Sequence, residues 1–409
     1  MKKSKFAASA AAALCCASLL TAVPSAAPKA DATWISYQGL TFSSGDLNFD
    51  GRINACDLIL ARRGLVDAFT GIAFKDHARF LAADVDGNNQ FTMADFVQLQ
   101  EFVLGKRLEF ELAPNDNPPG PTPKPTITGS EYMNKCSPEL TENYPQDVLN
   151  KAYGVKVEKK YYTCKFNNQT KPVNIVLPEN YDPNKKYPVL YALHGIGGNE
   201  DNMISDDMGV VNMATNLAKS GKAKEMIIVS PQMFTHKTKQ YYDNQINADN
   251  TAAYDNFLYD LTESLMPFIE ENYPVLTGRE NTAISGFSMG GREAIYIGLM
   301  RSDLFGYIGG ACPAPGIYPT TDFFMGQHPG SVPSESDLKF KDGNPLPYMF
   351  LISGAQGDFV VSDHPERYHN TLTANKVDHL WQVITVGNHD GNSVKAHMYN
   401  FLRWAFNAE

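Results

Sequence analysis

From about residue 130 onward, short apolar runs alternate with stretches of helical periodicity. Several runs are apolar throughout, which is typical of parallel strands covered on both faces. Residues 254–272 instead place apolar side chains at helical spacing. The runs that read as strands are residues 173–177, 189–193, 226–229, 282–284, 307–310, 348–352 and 381–386. Strands alternating with helices predict an α/β fold with a mostly parallel sheet, whose ligands lie at the carboxyl ends of the strands.

Residues 1–32 show the pattern of a secretory signal peptide. Lysines precede the apolar run 6–22, and small residues at 30–32, or at 25–27, offer a cleavage site. Lipidation at Cys15 is a minor alternative, because the preceding Leu14 fits a lipoprotein cleavage site poorly. We therefore expect a secreted, extracellular protein, and we exclude this segment from reasoning about the fold.

A proline-rich stretch divides the rest of the chain. Residues 113–129 contain almost no apolar side chain, so they predict a semi-rigid, extended spacer. On one side lies a small module, residues 40–112, and on the other a larger domain, residues 130–409. A spacer of this kind lets a tethered enzyme reach an insoluble surface.

The strongest candidate for chemistry is residues 284–291, Ile-Ser-Gly-Phe-Ser-Met-Gly-Gly, which contain the pattern G-x-S-x-G. The apolar residues before it and the helical pattern after it predict a strand, a sharp turn and a helix. Such a turn exposes Ser288 as a nucleophile. The N–H of Met289, at the start of the helix, would face the negative charge that develops during the reaction. An ordinary glycine–serine turn is the alternative, and the flanking strand and helix favour the nucleophile.

A serine nucleophile needs a base and an orienting carboxylate, which follow it along the chain as acid and then histidine in α/β-hydrolases. His389 lies in a loop after the last predicted strand and is the predicted base. Asp358 follows the strand at 348–352 and is the predicted acid, with Asp363 as the alternative. Asp390 is expected to shape its loop. The histidines set aside, as surface residues or as part of the last helix, are His364, His369, His379 and His397.

The glycine-rich loop 194–198 follows the strand at 189–193. A backbone N–H of Gly195 or Ile196 in this loop would complete an oxyanion hole together with that of Met289. A flexible surface turn is the alternative, and the position of the loop after a core strand argues against it. This chemistry needs no metal ion or organic cofactor.

Several of these segments resemble carbohydrate esterase family one, over about residues 155–406. The matching pieces are residues 176–181, 187–198, 286–292, 387–390 and 399–402. The resemblance implies the α/β-hydrolase fold, with a doubly wound, mostly parallel sheet. It also implies a feruloyl esterase or an acetylxylan esterase that acts on plant cell-wall xylan, and the choice of acyl group stays open. Other classes to weigh are a non-catalytic carbohydrate-binding or scaffold component and a serine peptidase or lipase.

The small module contains two loops with the same spacing of oxygen-bearing side chains. Gly51 occupies the sharp turn of the first loop, and Asn89 takes the equivalent place in the second. Six to eight oxygen ligands suit calcium, and two loops in one register, each opening a helix, argue against acidic surface turns. The side chains in ligand positions are Asp46, Asn48, Asp50, Asn54 and Asp57, then Asp84, Asp86, Asn88, Thr92 and Asp95.

This duplicated half-hand resembles a type I dockerin, over about residues 44–106. The resemblance implies two structural calcium ions, with backbone carbonyls of Arg52 and Gln90 as further ligands. It implies an all-α module whose partner is a cohesin of a cellulosome scaffold. The helix residues expected to meet the cohesin are Ala55, Cys56, Arg62 and Arg63, or Met93, Ala94, Gln100 and Glu101.

Composition sets the remaining limits. The chain has 409 residues, of which 43% are hydrophobic and 20% charged, as expected for a globular protein with a sizeable core. A net charge of −10 and the lack of a basic run argue against a nucleic-acid partner. No membrane partner is expected either. Cys136 and Cys164 are either a disulfide, which export permits, or buried free thiols.

Overall fold

The computed structural model describes residues 34–37, 40–69, 77–86, 91–106, 110, 127–322 and 326–408. The chain separates into two compact units, Met1–Pro118 and Pro119–Glu409. Within the described residues, every helix is too short or too polar to cross a lipid bilayer. The predicted signal peptide and most of the predicted spacer lie outside the described residues.

The described part of the first unit contains three helices and one antiparallel pair of strands. Its elements are β1 (Trp34–Tyr37), β2 (Leu40–Ser43), α1 (Ala55–Phe69), α2 (His77–Ala83) and α3 (Met93–Val103). Its apolar core includes Phe42, Leu47 and Leu99, all of which are buried. Thr92 begins α3 with a capping box, in which its hydroxyl accepts the N–H of Ala94 and its own N–H is bound by the carboxylate of Asp95.

The second unit is built from strands and helices in alternation. Its strands are β3 (Lys156–Thr163), β4 (Thr170–Leu177), β5 (Val189–Leu193), β6 (Ile227–Pro231), β7 (Thr282–Phe287), β8 (Tyr307–Ala311), β9 (Thr320–Asp322), β10 (Gly326–His328), β11 (Met349–Ala355) and β12 (Leu380–Ile384). Its α-helices are α4 (Gly129–Cys136), α5 (Val210–Lys219), α6 (Ala248–Asp255), α7 (Phe257–Asp260), α8 (Met266–Asn272), α9 (Met289–Met300), α10 (His364–Ala374) and α11 (Gly391–Trp404).

Eight of the ten described strands of the second unit form one sheet, in the order β12-β11-β8-β7-β5-β6-β4-β3, and β9 and β10 pair antiparallel in a separate two-stranded sheet. The strands from β12 to β6 are parallel, and β4 and β3 add an antiparallel edge. Every residue of β5, β7 and β8 is buried, because helices cover both faces of the sheet. The predicted α/β class with a mostly parallel sheet is confirmed.

Several elements differ from the sequence expectation. The short paired strands β1 and β2 were not predicted, and they add a two-stranded sheet to a module expected to be all-α; the paired strands β9 and β10 were not predicted either. The edge strand β3 is not among the predicted strands, because its mixture of lysines and tyrosines is mostly exposed and has no apolar run. The helix expected over 254–272 is instead interrupted by a π-turn at Leu261–Leu265. Pro267 follows that turn, and proline has no N–H to continue an α-helical ladder.

The cysteines are free thiols throughout the described residues. Cys136 and Cys164 are both buried, and burial raises the pKa of each thiol to about 11. The structure therefore contains buried free thiols at Cys136 and Cys164 and not a disulfide between them.

Candidate active site and calcium loops

The predicted nucleophile, base and acid meet at the carboxyl edge of the parallel sheet. Ser288 follows β7, Asp358 follows β11, and His389 lies between β12 and α11. The Nε2 atom of His389 lies 2.8 Å from Oγ of Ser288, and its Nδ1 atom lies 2.7 Å from Oδ2 of Asp358. Since a carboxylate can only accept, Nδ1 of His389 donates to Asp358, and Nε2 is left to accept the proton of Ser288.

The turn at Ser288 is strained in the way the sequence pattern predicts. The backbone of Ser288 has φ 57° and ψ −119°, which is rare for a residue with a side chain. Its N–H donates to the carbonyl of Ala311 at 3.0 Å, and this bond ties the turn to β8. A Cβ atom at Gly290 would lie 2.5 Å from the carbonyl oxygen of His194, so only glycine lets the helix approach this closely.

Asp358 is held as a carboxylate. Its Oδ1 atom accepts the N–H groups of Val360 at 2.9 Å and Val361 at 3.1 Å. Burial alone would raise the pKa of Asp358, but its hydrogen bonds with His389 and with these backbone groups outweigh burial and lower it. The alternative acid, Asp363, pairs instead with exposed Arg367 at 2.9 Å.

Asp390 caps the helix that follows the histidine loop. Its Oδ1 atom accepts the N–H groups of Asn392 at 2.9 Å and Ser393 at 3.4 Å. The expectation that Asp390 shapes this loop therefore agrees with its contacts. Because Asp390 directly follows His389 and caps α11, it fixes the backbone position from which the imidazole projects.

The predicted oxyanion loop lies against the nucleophile. A Cβ atom at Gly195 would lie 3.4 Å from Cβ of Ser288 and 3.8 Å from its Oγ. His194 is fully buried behind the loop, and its Nδ1 atom donates to the carbonyl of Gly195 at 2.7 Å while its Nε2 accepts the N–H of Met233 at 3.1 Å. Burial lowers the pKa of His194 to about 4, so the ring stays neutral and keeps this tautomer.

The histidines set aside from the sequence are less exposed than expected. His364 is buried, and His369 and His379 are half-buried and contact each other, so the surface assignment was wrong. His397 does lie inside the last helix. There its Nδ1 lies 2.9 Å from Oγ of Ser353 and its Nε2 lies 3.2 Å from Oγ of Ser285, between two core strands.

The first predicted calcium loop is closed by its own carboxylates. Oδ2 of Asp46 accepts the N–H of Gly51 at 2.9 Å, and Oδ2 of Asp57 accepts that of Asn54 at 2.8 Å. Gly51 has φ 79°, the left-handed conformation that the sharp turn requires. Burial, reinforced by the charge of Asp46, raises the pKa of Asp57 to about 6. A cation bound in the loop would favour the ionised form of Asp57. The carboxylate oxygens gathered here are the ligands that calcium prefers.

Two further predicted ligands of the first loop, Asn48 and Asp50, lie between Asp46 and Asp57 in the sequence. The side chain of Asn48 donates to Oδ2 of Asp50 at 2.9 Å, and Oδ1 of Asp50 accepts the N–H of Arg52 at 2.9 Å. These short-range bonds keep polar side chains gathered in one loop.

The second loop is only partly described. Carboxylate oxygens of Asp84, Asp86 and Asp95 lie within 4.8 Å of one another, and all three residues are buried. Oδ2 of Asp95 accepts the N–H of Thr92 at 2.8 Å. Three buried carboxylates in such a cluster fit a hard divalent cation. Asn88 and Gln90 lie outside the described residues.

The residues expected to meet a partner lie on α1 and α3 after each loop. Those exposed to solvent are Ala55, Cys56, Arg62 and Arg63 on α1 and Met93, Ala94 and Gln100 on α3. Glu101 is half-buried. Ile59 and Val97, which the sequence reasoning missed, are 63% and 42% exposed on the same two helices. Each follows the last aspartate of its loop by the same interval, so the two helices present equivalent apolar positions.

Comparison with known proteins places both modules. Residues 165–403 match the model of the family described as "Putative esterase", and this match covers more than half of the chain. The chain belongs to this esterase family. Residues 44–104 match the dockerin type I domain. The recognition of an esterase domain and of a dockerin module in the sequence is confirmed.

Solved structures agree with the esterase assignment. A carbohydrate esterase family one (CE1) ferulic acid esterase from Anaeromyces mucronatus, in complex with ferulic acid, is 41% identical to this esterase, with a TM-score of 0.62. The match covers 66% of this chain and 98% of that one.

Two curated relatives are much longer proteins. Endo-1,4-β-xylanase Y of Acetivibrio thermocellus is 28% identical over 274 residues, which make up 64% of this esterase and 22% of the xylanase. An endo-1,4-β-xylanase/feruloyl esterase of Xylanibacter ruminicola is 32% identical over 142 residues, or 33% and 18% of the two chains. The chain therefore spans about a fifth of the length of these relatives.

The esterase site also contains residues that sequence reasoning missed. The ring of Phe287 packs on His389, with centroids 4.5 Å apart. The Cys312 thiol lies within 4.8 Å of ligand atoms of Asp358 and His389, and burial together with the charge of Asp358 raises the pKa of Cys312 to about 12. Phe287 ends β7 and Cys312 follows β8, and no spacing along the chain signals that they meet at the site.

Proposed function

We propose that this protein is a secreted serine esterase of the cellulosome, which hydrolyses feruloyl esters on plant cell-wall xylan. The observation that carries the proposal is the chain of hydrogen bonds from Ser288 through His389 to Asp358, at 2.8 and 2.7 Å. This geometry is the one that makes a serine hydroxyl nucleophilic.

In the proposed reaction, His389 takes the proton of Ser288 as Oγ attacks the ester carbonyl. Asp358 stabilises the imidazolium that forms, without taking its proton. His389 then gives the proton to the leaving alcohol of the sugar, and an acyl-enzyme remains on Ser288. Water, activated by His389, attacks the acyl carbon and releases the free acid.

The backbone N–H groups of Met289 and of Gly195 or Ile196 are proposed to hold the oxyanion. Met289 is the first residue of α9, where N–H groups have no partner within the helix. The bond from His194 to the carbonyl of Gly195 fixes the peptide that carries the N–H of Ile196. Donors fixed in advance stabilise the transition state without having to reorganise during the reaction.

Ferulate is the acyl group that the surroundings favour over acetate. Gly197 belongs to the loop that contacts Ser288, and a Cβ atom placed on it would lie 3.4 Å from the ring of Tyr242. Tyr254 hydrogen-bonds the N–H of Gly197 at 2.9 Å, and its ring packs on Phe234 and Tyr242. Tyr242 is partly exposed and is backed by the buried rings of Phe234 and Tyr254, so it offers an aromatic surface beside the oxyanion loop that suits a phenolic acid. The 41% identity to a ferulic acid esterase supports the same choice.

The test compares methyl ferulate with acetylated xylan for the wild type and Ser288→Ala. We expect the wild type to prefer methyl ferulate in kcat/KM, and the variant to lose about 10⁴-fold or more in kcat. Ferulate release by Ser288→Ala at the wild-type rate would refute the serine mechanism. A preference of the wild type for acetylated xylan would keep the mechanism and overturn the choice of acyl group.

The dockerin module is proposed to bind two calcium ions and, through α1 or α3, a cohesin. The oxygen clusters of both loops support calcium, with Arg52 and Gln90 contributing carbonyls. The exposed faces of α1 and α3 support a partner surface, since Ile59 and Val97 are large apolar side chains left in solvent. Docking on a scaffold would place the esterase outside the cell, among other enzymes that act on xylan.

A further inference from the structure

Two imidazole rings face each other at the amino edge of the sheet, far from Ser288. His369 lies on α10, and His379 directly precedes β12. Nδ1 of His369 lies 2.8 Å from Nε2 of His379. The pair borders a cavity of about 300 Å³, whose polar lining includes Ser130, Asn134 and Asp378.

The hydrogen bonds fix the tautomers of both rings. Nδ1 of His379 lies 2.7 Å from the carbonyl of Val377 and must donate to it. Nε2 of His379 therefore carries a lone pair and accepts a hydrogen bond from Nδ1 of His369. A histidine that ligates a metal commonly donates its other N–H to a backbone carbonyl, and His379 already has that arrangement.

Aromatic packing restrains the rings of both His369 and His379. The His369 imidazole stacks on the Trp381 indole, with centroids 5.1 Å apart and planes 7° from parallel. The His379 ring packs on Phe350 from another side. These contacts restrict the orientation of both rings before any ligand arrives, which lowers the entropic cost of binding.

We propose that His369 and His379 bind a divalent transition-metal ion, with Zn²⁺ as the ion that fits them best. Imidazole nitrogens are preferred zinc ligands, at about 2.0–2.1 Å. A tetrahedral ion with bonds of that length sets two ligand nitrogens about 3.3 Å apart, so the rings need to separate by roughly half an ångström. His369 would shift its proton to Nε2, water in the cavity would supply further ligands, and Asp378 on its wall adds negative charge.

The position of the site predicts a structural role. The five residues of β12 separate His379 from the loop that carries His389, a span of about 17 Å. The cavity instead touches Ser130 and Asn134 on α4, the helix that opens the esterase unit. The ion would join α4, α10 and β12, and it would stabilise the fold without altering ester chemistry.

Trp381 supplies the readout. Ni²⁺ quenches the fluorescence of a nearby indole, so Ni²⁺ is titrated into the full-length, tag-free protein. The protein carries Cys56→Ser, which removes an exposed thiol. Calcium is present in excess to fill the dockerin loops. Zn²⁺ binding is measured in parallel by calorimetry and by thermal melting. We expect saturable quenching at sub-millimolar Ni²⁺, one Zn²⁺ per chain and a raised melting temperature.

Matched variants locate the ion. His369→Gln and His379→Gln should each abolish quenching and the Zn²⁺-dependent rise in melting temperature, and unchanged ester turnover would show that they fold. Trp381→Phe should lose the quenching and keep the calorimetric binding. His389→Gln, inactive as an esterase, should still bind. Absence of saturable binding to the wild type, or binding that survives in both histidine variants, would overturn the proposal.

Discussion

The ring of Phe287 lies against the imidazole of His389, with centroids 4.5 Å apart and planes inclined by 36°. Phe287 is the last residue of β7 and is buried, so it belongs to the rigid part of the sheet. His389 is held at Nδ1 by Asp358 but otherwise lies on a loop. The phenyl ring therefore limits the movement of the imidazole away from Ser288.

Phe287→Ala should lower kcat and leave KM nearly unchanged, because the variant loosens the base and leaves the predicted oxyanion donors in place. A displacement of about 1 Å of a reacting group costs up to roughly 100-fold in rate, and a loss of 10- to 100-fold is expected here. Steady-state kinetics on methyl ferulate measure it, and a thermal melt shows whether the fold is intact. A kcat equal to that of the wild type would contradict the positioning role.

The acid is identified by comparing two aspartates close together in the chain. Asp358→Asn should lower kcat by about 10⁴-fold, since an amide would favour the wrong tautomer of His389. The matched control is Asp363→Asn, which removes only an exposed ion pair with Arg367 and should leave kcat unchanged. The reverse result, with Asp363→Asn inactive and Asp358→Asn active, would reassign the acid.

The ionised state of Asp358 bears on this comparison. Because the pKa of Asp358 is lower in the folded protein than its ordinary value, the carboxylate contributes stability above that ordinary value. This contribution is lost only as the pH falls through the lowered pKa. The comparison of the two variants at neutral pH is therefore made with the wild-type acid fully ionised.

The residues around Ser288 show how far sequence reasoning reaches. The G-x-S-x-G pattern lies between a strand and a helix, so it specifies the turn that lifts Ser288, and His389 and Asp358 are placed because they follow strands at the same edge. These are local inferences. The stacking of Phe287 on His389 and the pairing of His369 with His379 depend on side chains from separate elements, and no local pattern contains them.

The edge of the sheet illustrates the same limit. β3 has no apolar run, because one edge strand needs little burial, and its pairing with β4 becomes visible only in three dimensions. The buried strands β5, β7 and β8 were predictable for the opposite reason, since burial on both faces leaves a continuous apolar run in the sequence.

Arg292 shows how much stability a missed side chain can carry. It is fully buried four residues after Ser288, where its guanidinium donates to Asp255 at 2.6 Å and to Glu293. Burial raises the pKa of Glu293 in spite of this ion pair. Arg292→Met would leave Glu293 without its cation and Asp255 with only the hydroxyl of Ser331, so it should destabilise the esterase unit by about 3–5 kcal/mol.

The measurement is thermal or urea unfolding, with a fall in melting temperature of roughly 10 °C expected. Arg301→Met is the matched control, because Arg301 pairs with Asp303 in a solvent-exposed position and such pairs contribute less than about 1 kcal/mol. Equal stability of the two variants would show that the buried network is not what holds α9 in place.

Calcium should matter to one unit only. The dockerin unit has its own small core, and the carboxylates of Asp57 and Asp95 are buried within it. Without a cation these buried charges oppose folding, so a chelator should unfold the loops and abolish cohesin binding. The esterase unit has a separate core, and its proposed chemistry uses no calcium. Turnover of methyl ferulate should therefore stay within about twofold of its starting value, a change of less than 0.5 kcal/mol in the barrier.

Re-adding calcium provides the control, because it should restore cohesin binding if the loss came from the loops and not from irreversible damage. The variants Asp57→Ala and Asp95→Ala, made separately, then show which calcium loop is needed for cohesin binding, since each removes a buried carboxylate from one loop alone. Cohesin binding that persists in the chelator would contradict the calcium assignment. Loss of ester hydrolysis together with cohesin binding would contradict the independence of the two cores. It would mean that removing calcium from the dockerin also disrupts the triad.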